Sequence, residues 1–560
     1  MKLLTLSRRA ALALGLSAAT AASFAALAGP AKAAEADNRP TITVAVQQVV
    51  NSGALTPLRE QSNVGARVFP MIYAPLIELD RQGDLSPQPG IAESWRRIDD
   101  RTIELTLREG ATFHNGEPVT AEDVAFSFGP ERMFGDTKPL GVDGQTETIT
   151  ADESKSVLGA ATGPELPPEV PAIARRLWPS LKEVQIVDDR TVRFVNAVPD
   201  LTMEGRLARS GSSEIVSKKA FLAAKDWASW AQAPVSAGPF KVKEFKPDNV
   251  LVLEAHDGYY GGKPSVKEVR YVVVPEVSAR VNGLLSGDYE FVTDIPPDQI
   301  ATVEADQKFE IVGGPVLNHR LIVFDKNHPQ LANPKIRQAL THAIDRNAIV
   351  EALWGGRTSV PAGLQWEYYA DMFVDDWAVP EYDLEKAKQL VAESGYDGSP
   401  IPFRVLNNYY TNQVLTSQIL AEMWKEAGLN VDLQMKENWQ QIMEKNGDRA
   451  IRDWSNSAPF SDPVSSLVNQ HGPNGVQQQL GEWTNAEFNT LSDVLEKSTD
   501  PAERKAAFAR MLEIAEREDP AFTVLHRNVV FYGKPKAIDW KWSPTFAMDF
   551  RADNIRMPGE

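Results

Sequence analysis

The 560-residue sequence contains no cysteine. That absence removes a lipid anchor on cysteine, disulfide staples, thiolate metal ligation and thiol catalysis together. Histidine is sparse: seven residues stand at 114, 256, 319, 328, 342, 471 and 526. None is spaced i, i+4 from another, the spacing that sets two imidazoles on one helix face, so no preformed zinc site is expected. The nucleophile-elbow GxSxG, zincin HExxH, P-loop and dinucleotide GxGxxG signatures are missing, and no carboxylate pair is marked out by spacing. The sequence therefore predicts no enzyme and no cofactor. Basic clusters are short, namely Arg96-Arg97 and GKPSVKEV, and 58 Lys plus Arg against 76 Asp plus Glu give a net charge of -18. Such a surface disfavours nucleic-acid partners.

Long apolar runs are lacking after residue 33, while a membrane span needs roughly 20 strongly apolar residues. The N-terminus is the exception. MKLLTLSRRAALALGLSAATAASFAALAGPAKA joins Lys2, Arg8 and Arg9 to an Ala/Leu-rich stretch and an Ala31-Lys32-Ala33 cleavage signal. Gly15, Ser17, Thr20 and Ser23 dilute the apolar run, so residues 1–33 read as a removable export signal rather than an anchor. Ser7-Arg8-Arg9 followed by Leu12 points to the twin-arginine (Tat) route, with Ala11 where that pathway usually has Phe. Cleavage removes Lys2, Arg8, Arg9 and Lys32 and no acid, which takes the charge from -18 to -22. The expected location is the periplasm, with a soluble, monomeric mature chain. Its remaining length is too great for one hydrophobic core, so two or three domains are expected.

Alternating patterns place strands at TITVAVQQVV, RTIELTLR, EVQIVDD and TVRFVNAV. Thr120-Ala121-Glu122-Asp123 opens a helix with the Thr120 hydroxyl as N-cap and two acids favouring the helix dipole. Residues 129–179 are rich in Gly and Pro and read as an extended loop region with one short helix. FKVKEFKPDNVLVLEAH predicts a hairpin about Pro247-Asp248-Asn249. KEVRYVVVPEVSARVNGLLSGDYEFVTDI predicts strand, helix and strand. From Leu321 to about Pro520, strands LIVFDK, IPFRVLNN and NVDLQM alternate with helices and imply an open, largely parallel sheet. The tail reverts to strand at VLHRNVVFYG, so the fold class is α/β.

Aromatic residues at segment ends offer an apolar face with a polar tip, which suits a ligand cleft: Trp366, Tyr368, Tyr369, Tyr409, Tyr410, Trp439 and Trp454. Polar groups lie beside such positions: Arg59, Glu60 and Asn63, then His319 and Arg320, then His526 and Arg527. Buried charge must be paired, so their convergence would call for a polar ligand.

The segment AESWRRIDDRTIELTLREGATFHNGEPVTAEDVAFSF, residues 92–128, resembles the family 5 solute-binding proteins of ABC importers, the cluster C type that takes peptides, nickel chelates or opines. SAGPFKV at 236–242, DGYYGGKPSVKEVRY at 257–271, NPKIRQALTHAIDR at 333–346 and AKQLVAESGY at 387–396 follow in the family's order. The resemblance implies a type II periplasmic-binding-protein fold, a two-lobed clamp with an additional α+β domain inserted in the first lobe. It implies lobe I at 34–76, 198–315 and 521–560, the extra domain at 77–197, lobe II at 316–520, and hinges near 316–320 and 520–527.

Peptide binders of this family fix the ligand's α-amine with an aspartate shortly after a Gly-Trp pair and before an Asp/Glu-Pro pair. The matching segment here is IRDWSNSAPFSDP, in which Asp453 takes the Gly place and the aligned position falls at Asn456 or Ser457. The amine anchor is missing from its place, and Asp462 before Pro463 is the one candidate substitute. Gln61 to Asn63, His319, Arg320, Trp439, Met443 and Trp454 occupy places that line the cleft in relatives. Together with Arg59, Trp366, Tyr410, Asn456, Ser457 and His526 they form the expected ligand-binding set.

The function implied is capture of a peptide or peptide-like organic solute and its delivery to an ABC permease complex in the inner membrane. The departure at 453–457 favours modified solutes over unmodified peptides. The alternatives are a nickel-type chelate binder, a periplasmic hydrolase and a periplasmic chaperone on the same scaffold.

Overall fold

The run Leu321-Ile322-Val323-Phe324 sends alternate side chains to opposite sides: Leu321 and Val323 enter one hydrophobic cluster, Ile322 and Phe324 another. A strand buried on both faces needs this unbroken apolar sequence and a sheet covered on each side. The computed structural model describes residues 37–140, 146–148, 164–209, 211–407 and 409–559. Arg39 onward forms one compact unit. The export signal expected at 1–33 lies outside the described residues.

In chain order the strands are β1 (Thr41–Val46), β2 (Ile77–Leu79), β3 (Pro87–Pro89), β4 (Ala92–Asp99), β5 (Thr102–Leu107), β6 (Thr137–Leu140) and β7 (Thr146–Thr148). β8 (Leu181–Ile186), β9 (Thr191–Asn196), β10 (Phe240–Lys246), β11 (Val250–Ala255), β12 (Glu268–Val273), β13 (Phe291–Val292) and β14 (Phe309–Phe324) follow. β15 (Ile401–Leu406), β16 (Val431–Lys436), β17 (Ile451–Ser457), β18 (Phe522–Pro535), β19 (Asp539–Trp540) and β20 (Ile555–Arg556) complete the set.

One ten-stranded sheet, ordered β10-β11-β12-β1-β13-β18-β14-β17-β15-β16, runs through both lobes of a two-lobed clamp. The predicted hairpin is β10 and β11, with Asp248 of its turn at φ 61. The predicted strand, helix and strand are β12, the helix Val277–Ser286 and β13, and they flank β1, which is parallel to both.

β14 and β18 carry the sheet from one lobe to the other. They pair antiparallel from Phe309↔Pro535 to Val323↔Phe522, and the ladder is interrupted between Pro315 and His319. On one side of that interruption Val530 and Tyr532 join the core around β1, and Val529 and Phe531 join the opposite layer with Phe309. On the other side Phe522 and Val524 join Leu321, and Leu525 joins Ile322.

The second block is mixed, not largely parallel as expected. β15 is parallel to β16 and β17, but β17 is antiparallel to β14 and β14 to β18. The reason is that β14 and β18 form an antiparallel ladder continuous with the other lobe and β17 adds to it antiparallel, so that β15 and β16 alone extend the sheet in parallel.

The additional domain is built on an antiparallel sheet, β4-β5-β9-β8. Its helix Ala121–Ser127 begins where expected, with a capping box: Asp123 N–H donates to Thr120 Oγ1 at 3.3 Å and Thr120 N–H to Asp123 Oδ2 at 3.1 Å. The stretch 129–179 holds more order than its composition suggests: a single π-helical turn at Pro130–Phe134, the β6–β7 pair and the helix Glu169–Leu177. Residues 141–145 and 149–163 of that stretch lie outside the described residues.

Candidate functional site

A cavity of about 540 Å³ opens between the lobes. Its first wall is the segment 51–63, whose path is set by Glu60. That carboxylate is 2 % exposed and accepts the N–H groups of Asn51 at 2.8 Å, Ser52 at 2.7 Å and Ser62 at 3.1 Å. Arg59, Gln61 and Asn63 of this segment face the cavity.

The opposite wall is aromatic. Tyr409 and Tyr410 follow β15, Trp439 and Met443 lie on the short helix Trp439–Met443, and Trp454 lies on β17. Their rings meet edge to face: Tyr409 to Trp439 at 4.9 Å and Trp439 to Trp454 at 5.2 Å. Asn456 and Ser457 complete this side. The walls touch directly, since Asn63 N–H donates to the Tyr409 hydroxyl at 3.0 Å and Asn63 Nδ2 to Ser455 Oγ at 3.2 Å.

Four of the expected contact residues are not in the lining. His319 is fully buried, stacked on Trp366 at 4.1 Å with its Nε2 against the Gln365 carbonyl at 2.9 Å, and burial depresses its pKa to about 3. Trp366 belongs to the core of the second lobe. His526 is buried beside Trp354 with its Nδ1 at 2.8 Å from the Arg527 carbonyl oxygen, and burial lowers its pKa to about 4. Arg320 forms a buried ion pair with Asp453, and its guanidinium carbon lies 3.5 Å from the Tyr410 ring centroid. It supports the aromatic wall from behind.

Asp453 is engaged behind the wall through one oxygen: Oδ2 accepts from Arg320 and from Gln413 Nε2 at 3.0 Å, while Oδ1 is buried without a hydrogen-bond partner among the described residues. Asp462 is equally occupied, capping a turn through the Val464 N–H at 2.9 Å and accepting from Arg504 at 2.8 Å. Among the described residues Glu60 is the one acid in the cavity lining, and its oxygens already hold backbone.

Two cationic lining residues were not among those expected. Arg176 lies on the helix Glu169–Leu177, one turn from Ile173, which also faces the cavity, and Arg209 follows the helix Met203–Ala208. Burial lowers the Arg176 pKa to about 10. Burial, followed by repulsion from Arg176 and Arg206, lowers that of Arg209 to about 9. The signal for Arg176 was available: Ile173 and Arg176 at i, i+3 in an amphipathic segment. Ser52, Asn469, Gln470 and Phe546 also line the cavity and carry no local pattern that marks them.

None of the seven histidines lines the cavity, and among the described residues no group of three or more His, Asp or Glu is placed to hold a metal ion. No helix among the described residues is long and apolar enough to cross a membrane.

The family model of the bacterial extracellular solute-binding proteins, family 5, matches residues 86–477. The chain is 26% identical over 475 residues to the heme-binding protein A of Haemophilus influenzae, covering 81% of each chain. It is 25% identical over 486 residues to the dipeptide-binding protein of Escherichia coli, covering 82% of this chain and 84% of the relative. Among solved structures, a dipeptide-binding protein from Pseudoalteromonas sp. SM9913 in complex with Met-Leu superposes with a TM-score of 0.78 at 19% identity, over 92% of this chain and all of the other. That last likeness is one of fold.

Proposed function

The chain belongs to the extracellular solute-binding proteins of family 5, and on that premise we propose that it captures a peptide-like organic solute between its lobes and delivers it to an ABC permease complex in the inner membrane. The observation that carries this reading is a set of polar side chains that line the cavity and each keep one buried atom with no protein partner among the described residues: Ser52 Oγ, Arg176 Nε, Arg209 Nε, Trp439 Nε1 and Asn469 Oδ1. Each buried, unsatisfied polar group costs about 1–3 kcal/mol, so a wall that gathers several of them is built to be completed by a polar molecule. The aromatic face beside them suits the apolar part of the same molecule.

Capture works through closure. A ligand touching both walls favours the closed arrangement by the contacts that only that arrangement offers, and the permease reads the closed form. The interruption of the β14–β18 ladder between Pro315 and His319 is the hinge in this reading. Lobe I then comprises 34–76, 198–315 and 521–560, the extra domain 77–197, and lobe II 316–520. Residues 1–33 serve as a Tat export signal, and the mature chain acts in the periplasm as a monomer. The chelate alternative draws no support from a wall that holds no imidazole.

Calorimetric titration of the purified mature chain with short peptides and acylated amino acids tests the reading. The expected result is saturable heat with one ligand per chain. Turnover of those compounds, or preferential binding of unfolded protein, would overturn it.

A further inference from the structure

Arg176 and Arg209 approach the cavity from two separate elements and repel one another. Among the described residues neither forms an ion pair. The one hydrogen bond made by the Arg176 guanidinium is from Nη2 to Gln61 Oε1 at 3.4 Å, long for such a bond, and the Nε of each arginine has no acceptor. Other buried arginines are satisfied in one of two ways: Arg67, Arg206 and Arg504 by carboxylates, and Arg175, Arg280 and Arg346 by several backbone carbonyl oxygens. The buried Glu214 acts on Arg209 from a distance without forming an ion pair with it, and two neighbouring guanidiniums with no carboxylate in contact, in a part-buried setting, are costly unless an anion joins them.

The rest of the lining makes the bias one-sided. Arg59 adds a third cation, held 3.2 Å from Glu169, which is not in the lining. The lone lining acid, Glu60, spends both oxygens on backbone N–H groups, and Asp453 and Asp462 are committed to Arg320 and Arg504. Among the described residues the cavity thus has three cationic side chains and no free carboxylate for an ammonium.

We propose that the ligand is an acidic organic solute whose carboxylate bridges Arg176 and Arg209, whose apolar part lies on Trp439 and Trp454, and which carries no free amine to be anchored. This rests on the solute-capture reading and narrows it to one chemical class. A guanidinium presents its N–H donors as a planar fork matched to carboxylate oxygens, so two such forks can hold one carboxylate from two directions.

Three probe sets test this on the purified mature chain, read by tryptophan fluorescence and calorimetry: N-succinyl dipeptides, the same dipeptides unmodified, and the same dipeptides as C-terminal amides. The succinyl set is expected to bind at least tenfold more tightly than the unmodified set, and the amides not at all. Arg176→Gln and Arg209→Gln should each weaken succinyl binding at least tenfold while leaving the unfolding temperature unchanged or raised, because repulsion is relieved. The ranking of probes on the unaltered chain stands even if a variant folds poorly. Parity between sets, or a preference for free amines or amides, overturns the acidic assignment and leaves solute capture intact. Silence from all three sets overturns both.

Discussion

Arg206 and Glu496 form an ion pair between distant segments, which the proposed division assigns to different lobes: Nη2 of Arg206, on the helix Met203–Ala208, lies 2.5 Å from Glu496 Oε2 on the helix Ala486–Lys497. The pair sits among further charges, with Asp200 at 3.0 Å from Arg206 and with Asp462 and Arg504 close enough to act on Glu496.

Burial, opposed by Arg206 and reinforced by Asp200 and Asp462, raises the Glu496 pKa to about 7. A carboxyl whose pKa is raised in the closed form takes up a proton on closing. Its contribution favours closure below its usual value near 4.5 and is lost as pH rises through about 7. Ligand affinity is therefore expected to increase by roughly tenfold from about pH 7.5 to about pH 6. Glu496→Gln should flatten that profile. Calorimetry across this range in both proteins checks it, and identical profiles would remove Glu496 from the closure equilibrium.

Gly205 lies against Phe460 of the other lobe so closely that a Cβ there would meet the Phe460 ring at 2.9 Å. Gly205→Val is expected to hold the lobes apart, lowering affinity by roughly a hundredfold, equivalent to about 2.7 kcal/mol. Small-angle scattering should show a ligand-independent, larger radius of gyration. A normal closure on ligand addition would mean that the two lobes do not need this contact.

Removing Arg320 leaves Asp453 charged and unpaired in the interior, where burial already pushes its pKa up. Arg320→Ala is expected to cost about 3–5 kcal/mol of stability in denaturant unfolding. The double variant Arg320→Met, Asp453→Leu should recover most of that loss. If the single variant unfolds like the unaltered chain but binds poorly, Arg320 reaches the ligand and not only Tyr410.

Trp454 forms part of the cavity wall, edge-on to Trp439 and with the Arg452 guanidinium carbon 4.3 Å from its ring centroid. Trp454→Ala is expected to weaken ligand binding by at least 2 kcal/mol, about thirtyfold. It should lower thermal stability much less than a fully buried tryptophan such as Trp424 would. Equal affinity in the variant would place the ligand elsewhere in the cleft.

The elements were legible wherever a local rule fixes them. Thr120 and Asp123 three residues apart announce a cap, and Pro247-Asp248-Asn249 between two alternating runs announces a hairpin. The cavity lining was legible in part: Trp439 and Trp454 stand out as aromatics at segment ends, and Arg59 and Asn63 as polar groups beside such positions. His319, Arg320 and His526 lie outside the lining for a different reason. On a strand, neighbours point to opposite faces, and which face is wet depends on register: Arg320 opposes Ser455 across β17, and His319 opposes Asn456. No count along one chain supplies that pairing. Arg176 carried a local signal in its i, i+3 spacing from Ile173, but that Arg176 and Arg209 converge without a carboxylate in contact is a property of distant segments brought together.

β18 is formed late in the chain yet lies in the middle of the ten-stranded sheet, hydrogen-bonded to β13 on one side and β14 on the other. Synthesis must reach Pro535 before either lobe can acquire this strand, so the first-made half waits, incompletely paired, for residues about 490 positions after β1. Folding is thus expected to be slow and governed by distant pairings, and loss of the residues after Glu518 should abolish both lobes together instead of trimming one.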